Sequence, residues 1–433
     1  MNGPVSESVA AAAAPPVAQA PARAELSVLI VNYMTWRECQ AALRTLREHG
    51  PTRPDGSPMP YEVVVVDNLS PNRNPEGIAM LEAELAAIRV QQGDPSAGQL
   101  ILHTENGGYS KGMNLALAHS RGRWILVSNP DLVFTPGLIP KLQRHLENDP
   151  KAGIVVPKGF WDPSFMGRLP PNTLPTLFDV LVTTFGEFSR SLSRWYQHRL
   201  CRQWLRIWQA ERPLALPMMS GCLFLVDREF FERIGRFDER YPLYYEDSDL
   251  SRTIVGAGRT IAQVPDAQLV HFVNRSGMAD PETMWRRHDQ SRQIYFRKWY
   301  GWRGALVLRV CHWLLHSKLL RRLRKAPPHG PMQDLGASHE PPVIVLPRRC
   351  ERFLLLMSLD CRFYLSGGMF GSGDRWTPSA EMFRNFGYTT FFYLAFDLTD
   401  GRFEELGRWR YQCLSHLGVP VRKEPPPAAD GAS

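Results

Sequence analysis

Cysteine is scarce in this chain and carries no pattern. The 433 residues hold seven, an odd number, without a CxxC pair. That excludes a disulfide framework and a zinc ribbon; it fits a reducing cytosol in which each cysteine is a small core residue. Long apolar runs are missing too: nothing reaches the roughly 18–20 residues of a membrane span. Residues 1–24 are rich in Ala and Pro but have neither a basic start nor a continuous apolar stretch. They read as a disordered tail and not as a signal peptide. Acidic excess is also absent, since the net charge is +8. Its distribution matters more than its size. Twelve Lys/Arg stand against one Asp between Arg286 and Lys325, and the rest of the chain is near balance. Basic character confined to one segment argues against a general nucleic-acid binder.

What is present is ordinary for a globular protein: 44% hydrophobic and 22% charged residues, over a length that suits two or three domains. Leu26 to Val31 and Glu62 to Val66 are short continuous apolar runs, as doubly buried strands are. Trp36 to His49 reads as a helix with Trp36, Cys39, Leu43 and Leu46 inward, and Ile78 to Val90 as a second helix. Ile101 to His103 and Trp124 to Ser128 are further strands, separated by a helix that opens at Asn106-Gly107-Gly108. The alternation predicts an α/β fold with a mostly parallel sheet, Rossmann-like, with flanking helices.

The second half is less regular. Phe165 to Ala210 is expected to be an insertion over the site, a lid or acceptor-binding element. Ala215 to Val226 reads as strand, Asp249 to Ala257 as helix and Thr260 to Val264 as an edge strand. The domain limits that follow are 25–300 for the α/β domain, 301–325 for a basic amphipathic helical segment, 326–342 for a linker and 343–433 for a small, separate C-terminal α+β domain. In the basic helix, Leu306, Val310, Trp313, Leu314 and Leu320 share one side. In the C-terminal domain, Ser366-Gly367-Gly368 and Gly371-Ser372-Gly373 are expected turns.

Ligands of parallel sheets bind beyond the carboxyl ends of the strands. There the polar residues gather: Asn32 and Tyr33, Asp67 and Asn68, Asn106, Asn129 and Asp131. Any one of them serves equally as a helix cap or turn residue; four such points on one edge favour a site. Further on, Tyr244-Tyr245-Glu246-Asp247-Ser248-Asp249-Leu250 crowds three carboxylates between core-like runs. Crowding of this kind raises a carboxyl pKa and makes a base. His271 closes a later apolar run, where a satisfied core histidine and a ligand are both open readings.

Taken in order, Val28 to Tyr33, Val65-Val66-Asp67-Asn68-Leu69-Ser70, Asn106 to Asn114, Asn129-Pro130-Asp131, Gly221-Cys222 and Phe237-Asp238-Glu239 through Leu250 resemble the family 2 inverting glycosyltransferases of the GT-A fold, notably the rhamnosyltransferase-like branch. The resemblance spans about Leu26 to Lys325. It implies transfer of a sugar, with rhamnose or another deoxysugar as the branch's donor type, from a nucleotide diphosphate to a hydroxyl of a glycan or lipid-linked acceptor. The implied setting is surface-polysaccharide assembly in the cell envelope, in the cytoplasm or on the inner face of its membrane.

The resemblance also implies roles. Asn32, Tyr33, Asp67, Asn68, Asn106, Gly108, Asn129 and Asp131 would bind the nucleotide sugar, with Asp67 accepting from a pyrimidine N3–H and Gly108 allowing close backbone approach. Asp131 and His271 would hold Mg2+ or Mn2+, and Asn129 replaces the first acid of the family's Asp-x-Asp. Asp247 would be the base, supported by Glu246 and by Asp249 at an expected N-cap. Two other classes compete. A non-catalytic sugar-nucleotide or glycan-binding module is opposed by the retention of Asp131, Asp247 and His271. A nucleotidyltransferase is opposed by Asn32-Tyr33-Met34-Thr35-Trp36, which has no Gly-rich loop with a basic residue. The basic helix carries two readings, a packed helix with a solvated side or attachment to an anionic membrane surface.

Overall fold

The computed structural model describes residues 24–71, 73–272, 281–324 and 331–415. The expectations for 1–23 of the tail, for 325 at the end of the basic segment, for 326–330 at the start of the linker and for 416–433 at the C-terminus lie outside the described residues.

The first half alternates β1 (Leu26–Asn32), α1 (Trp36–His49), β2 (Tyr61–Asp67), α2 (Pro75–Gln92), β3 (Gly98–Leu102), α3 (Tyr109–Ala118) and β4 (Trp124–Ser128). Every residue of β1 and β2 is buried, so both faces need a partner layer. Strand pleating divides the side chains. Val28, Ile30, Val63 and Val65 pack with Cys39, Leu43, Leu81 and Leu85 of α1 and α2. Leu29, Val31, Val64 and Val66 pack with Met113 and Leu117 of α3. Each such side chain contributes about 1.5–3 kcal/mol when fully buried.

The sheet continues through β5 (Leu132–Phe134), α4 (Leu138–Asn148), β6 (Ala152–Phe160), the hairpin α5 (Leu177–Gly186) and α6 (Arg190–Trp208), β7 (Leu214–Leu216), β8 (Leu223–Asp227), α7 (Arg228–Arg233), α8 (Glu246–Gly256) and β9 (Thr260–His271). Strand order is β3-β2-β1-β4-β8-β6-β9-β5, with β7 also on β9. Strands β3, β2, β1 and β4 are parallel, as are β6 and β9, and β8 runs antiparallel between the two groups. The architecture is a mixed α/β fold, a mostly parallel sheet with helices on both faces.

Thr260 to Val264 is not an edge strand: β9 runs on to His271 and pairs on both sides. Pro265 disguises this in sequence, because it donates no ladder bond; the pairing with β6 shifts register across it and resumes at Gln268. The division at 300/301 falls inside one helical element, α9 (Pro281–His316), which bends at Gly301 (φ 60°). A single turn, α10 (Lys318–Arg321), follows.

The rest forms a five-stranded sheet of β10 (Gln333–Ser338), β11 (Ile344–Ser358), β12 (Gly367–Trp376), β13 (Thr389–Asp397) and β14 (Glu404–Cys413), with the turn α11 (Ala380–Phe383) between β12 and β13. So Gln333–Ser338 is a polar edge strand parallel to β14 and not linker. The sheet is also not a separate unit. One face covers its own core, and the other packs Leu354, Leu356, Leu394 and Phe396 on Tyr196, Leu200, Trp204 and Trp208 of α6. The inserted hairpin is therefore the floor of this second sheet and not a lid. The expected turns at Gly367-Gly368 and Gly371-Ser372-Gly373 are strand β12, where glycine makes room for rings. A Cβ on Gly368 would stand 2.6 Å from the Trp208 ring.

A Gly368→Val substitution overpacks this seam between α6 and β12. The expected cost is about 1–3 kcal/mol, read as a lower urea midpoint at unchanged slope.

Candidate active site

The carboxyl ends of the parallel strands are knitted by side chains. Asn32 and Asp67 are register partners in β1 and β2. Asn32 Nδ2 donates to Asp67 Oδ1 at 2.9 Å, and Thr35 donates to Asn32 Oδ1 at 2.9 Å. Ser70 donates its N–H to Asp67 Oδ2 (3.1 Å) and its hydroxyl to Oδ1 (2.6 Å). Asp67 is fully buried within this set, and its bonds are to the protein. Its observed work is to hold the β1 and β2 ends together. Tyr33 beside it is half-buried. Asn68 donates to Asn106 Oδ1 at 3.1 Å.

Gly108 is where the expectation shifts. Its φ is +91°, and a Cβ there would lie 2.3 Å from the Pro242 carbonyl oxygen. The close approach it permits is to the protein itself. Tyr109 N–H, opening α3, donates to that same carbonyl at 3.1 Å. The Tyr109 ring meets Phe237 edge-on at 5.9 Å, and its hydroxyl lies 3.3 Å from both Asn129 Oδ1 and the Gly221 carbonyl. One side chain thus joins the end of β4, the approach to β8 and the segment before α8.

Asn129 leads to the second cluster. Pairing of β5 with β9 sets Leu132 opposite His271, which brings His271 Nε2 to 3.1 Å from Asp131 Oδ1 and 3.5 Å from Asn129 Nδ2. Burial opposes a charge on His271, but the Asp131 carboxylate outweighs it and lifts the imidazole to about 10. Among the described residues no group of three or more His, Cys, Asp and Glu gathers to hold a metal. The pair fits one once the incoming cation displaces the Nε2 proton that His271 shares with Asp131. Neighbouring ligands at bonds of roughly 2.1 Å lie about 3.0 Å apart in an octahedron, close to the observed separation, and carboxylate with imidazole suits Mn2+ or Mg2+ when other oxygens complete the shell.

The acidic turn is built under strain. Tyr244 and Tyr245 both adopt left-handed φ, 64° and 63°, which non-glycine residues rarely do. The turn delivers Glu246 and Asp247 at the first residues of α8, where the helix dipole favours negative charge. Burial raises Asp247, while the N–H groups of Ser248 and Gly221 and the Ser248 hydroxyl relieve it, leaving it at about 6. Burial and the Asp247 charge push Glu246 well above the usual glutamate range. Its Oε2 is buried without a hydrogen-bond partner among the described residues. Burial disfavours the charge on both, and the hydrogen bonds that relieve it go to Asp247, so Asp247 is the easier of the two to ionise.

Both clusters face one place. Burial raises Tyr109 and Tyr244, and beyond burial each feels Glu246, Asp247 and Asp131. Asp249, in contrast, is not an N-cap. The helix starts at Glu246, and Asp249 points away into a buried clamp that accepts from Tyr241 (3.1 Å), Lys298 (2.7 Å) and Trp299 (2.7 Å). It fastens α9 to α8. The N-terminal arm of α9 also lays His288 against Tyr244 and Tyr245, and Arg287 reaches Asn106 Oδ1 at 2.8 Å and its carbonyl at 3.0 Å. Sequence reasoning missed Tyr109, although it stands inside the Asn106 to Asn114 motif, and Arg287, whose partner is 181 residues away.

With this geometry in view, the comparisons are specific. The family profile described as Glycosyl transferase family 2 matches residues 27–235. N-acetylglucosaminyl-diphospho-decaprenol L-rhamnosyltransferase of Mycobacterium tuberculosis, in strains CDC 1551 / Oshkosh and ATCC 25618 / H37Rv, is 31% identical over 217 residues, covering 47% of this chain and 67% of that protein. The chain belongs to glycosyl transferase family 2 and is a glycosyltransferase. Among solved structures, GalNAc-T7 with UDP, GalNAc and Mn2+ overlaps at a TM-score of 0.40 with 17% identity, covering 58% of this chain and 44% of that one. A Pyrobaculum calidifontis mannosyltransferase with GDP-Man and Mn2+ overlaps at 0.37 with 18% identity, covering 72% and 84%. Overlaps this loose say nothing about this chain's ligands.

Replacing Asp249 by Ala leaves Trp299 and Tyr241 without their acceptor, while Lys298 keeps Asp238. Leaving buried donors unsatisfied costs about 1–3 kcal/mol. Thermal unfolding is expected to shift down accordingly, and Asp249→Asn, which keeps an acceptor, to recover part of the loss.

Proposed function

We propose that this glycosyltransferase moves a deoxysugar such as rhamnose from a dTDP or UDP donor to a hydroxyl of a lipid-linked or glycan acceptor, with inversion, in envelope polysaccharide assembly at the cytoplasmic side. The observation that carries the chemistry is the Tyr109 hydroxyl, 3.3 Å from both Asn129 Oδ1 and the Gly221 carbonyl, with the Asp131–His271 pair beside the first and Asp247 packed on the second. The donor and acceptor classes rest on the likeness to the rhamnosyltransferase, whose own name specifies a diphospho-decaprenol-linked sugar and L-rhamnosyl transfer.

Asn32, Tyr33, Asp67, Asn68, Asn106 and Gly108 form the nucleotide end, on the strand ends where such ligands bind. In this reading Asp67 works mainly by ordering the β1 and β2 termini, and Oδ2, which accepts one bond from Ser70, has a lone pair to offer a base. Arg287, already on Asn106, adds a guanidinium suited to a diphosphate oxygen. Asn129, Asp131 and His271 form the diphosphate end. A divalent cation held there by Asp131 and His271 would supply counter-charge to the diphosphate.

The acceptor hydroxyl loses its proton to Asp247 as its oxygen bonds to the anomeric carbon. The bond from that carbon to the diphosphate oxygen breaks, and its electron pair leaves with the nucleotide. Glu246, protonated beside it, keeps a second negative charge away from the incoming oxygen and has an O–H to give to a sugar hydroxyl.

Asp247→Asn is expected to lose transfer by at least about 10²-fold, the ordinary range for a positioned base, while calorimetry shows nucleotide-sugar binding within about twofold of wild type. Wild-type turnover in that variant removes the assignment. The pH profile follows from the raised carboxyl. The ionised form is the active one and its pKa is about 6, so log kcat/KM is flat above that value and falls with unit slope below it. Arg287→Met is expected to raise the donor KM and leave kcat largely intact, since it removes a binding charge and not a reacting group.

A further inference from the structure

The basic helical segment does not pack by the side its sequence advertises. After the bend at Gly301, α9 lies on α5 through Val307, Leu308 and Cys311, which join Val180 and Leu177 in one cluster. The stripe Trp302, Leu306, Val310 and Trp313 is on the opposite side of the helix, at spacings of four, four and three. It is bare: Trp302 is 71% exposed and Trp313 63%. A helix with two apolar faces and one protein partner has an unmet surface. Beyond it, Leu319 (81%) and Leu323 (59%) are exposed as well. Six Lys/Arg and no Asp or Glu lie between Trp302 and Arg324, with Arg303 and Arg309 flanking the stripe. Among the described residues no helix is long and apolar enough to cross a membrane.

We infer that the face of α9 bearing Trp302, Leu306, Val310 and Trp313, with the basic turn after it, lies in the interface of an anionic lipid bilayer. Charge complementarity selects this occupant. Paired tryptophans among arginines match the headgroup boundary, where indole rings partition and cations meet lipid phosphate. A second protein copy would have to bury the same uncompensated positive charge against itself. The placement also has a functional sense, for which it rests on the acceptor proposed above. The arm of α9 before Gly301 clamps Asp249 and lays His288 on Tyr244 and Tyr245, so one helical element, bent at Gly301, carries both the bilayer contact and the contacts to the acidic turn.

The test is co-sedimentation of the full chain with phosphatidylcholine vesicles, with and without phosphatidylglycerol. Wild type is expected to pellet with the anionic vesicles, less with neutral ones, and less again at high salt. Trp302→Ser/Trp313→Ser is expected to lower the partition coefficient at least about tenfold, with an unchanged circular dichroism spectrum and unchanged affinity for UDP and dTDP as probes. Asp247→Asn is expected to pellet like wild type, so that loss of catalysis and loss of docking are read separately. Three results overturn the inference: no binding to anionic vesicles, equal binding of wild type and the double variant, or a wild-type dimer by light scattering that the double variant converts to monomer.

Discussion

The site depends on one close contact, the approach of Gly108 and Tyr109 to the Pro242 carbonyl. No side chain fits between them, and the backbone at Gly108 takes a conformation that favours glycine. This contact fastens the start of α3, which belongs to the parallel half of the sheet, to the loop that introduces the acidic turn, which belongs to the second half. The Tyr109 hydroxyl then lies between Asn129 and Gly221. Asp131, two residues past Asn129, and Asp247, packed on Gly221, become two sides of one site through that ring.

Within the site, burial and hydrogen bonding divide two adjacent carboxyls. Asp247 receives the N–H groups of Ser248 and Gly221, and Glu246 has no such relief. The same desolvation therefore weighs less on Asp247 than on Glu246, whose carboxyl is pushed well above the usual glutamate range. The strained pair Tyr244 and Tyr245 pays for this placement, and α9 holds it through His288 above and the Asp249 clamp below. That strap continues past Gly301 as the helix whose outer side is bare. The inserted hairpin α5–α6 has a structural part in the same design: α5 supports α9, and α6 floors the C-terminal sheet.

Local chemistry made much of the fold readable. Helix Trp36–His49 and strand Trp124–Ser128 have the limits their sequences predict, because apolar spacing and turn residues bound them on both sides. Asn32, Asp67, Asn106 and Asn129 gather on one edge because each follows a buried strand or opens the next helix. Where reading failed, two structures shared one pattern. Gly367 to Gly373 is written like a turn but serves as a strand under the rings of Trp208 and Phe353. Leu306, Val310 and Trp313 share a side with helical spacing, yet the packed side is that of Val307, Leu308 and Cys311, which has the same period.

Sequence by itself determined the alternating elements, the polar residues that end the strands, the acidic run and the location of the positive charge, because each depends on neighbours within a few residues. Tertiary structure alone decided that Asp249 clamps Lys298 and Trp299 and does not cap its helix, that His271 lies against Asp131, that Arg287 reaches Asn106, and which side of α9 is left bare. Those outcomes turn on strand register and on the docking of segments more than a hundred residues apart in most cases. No local propensity encodes a partner at that separation; only the closed sheet brings it within hydrogen-bonding distance.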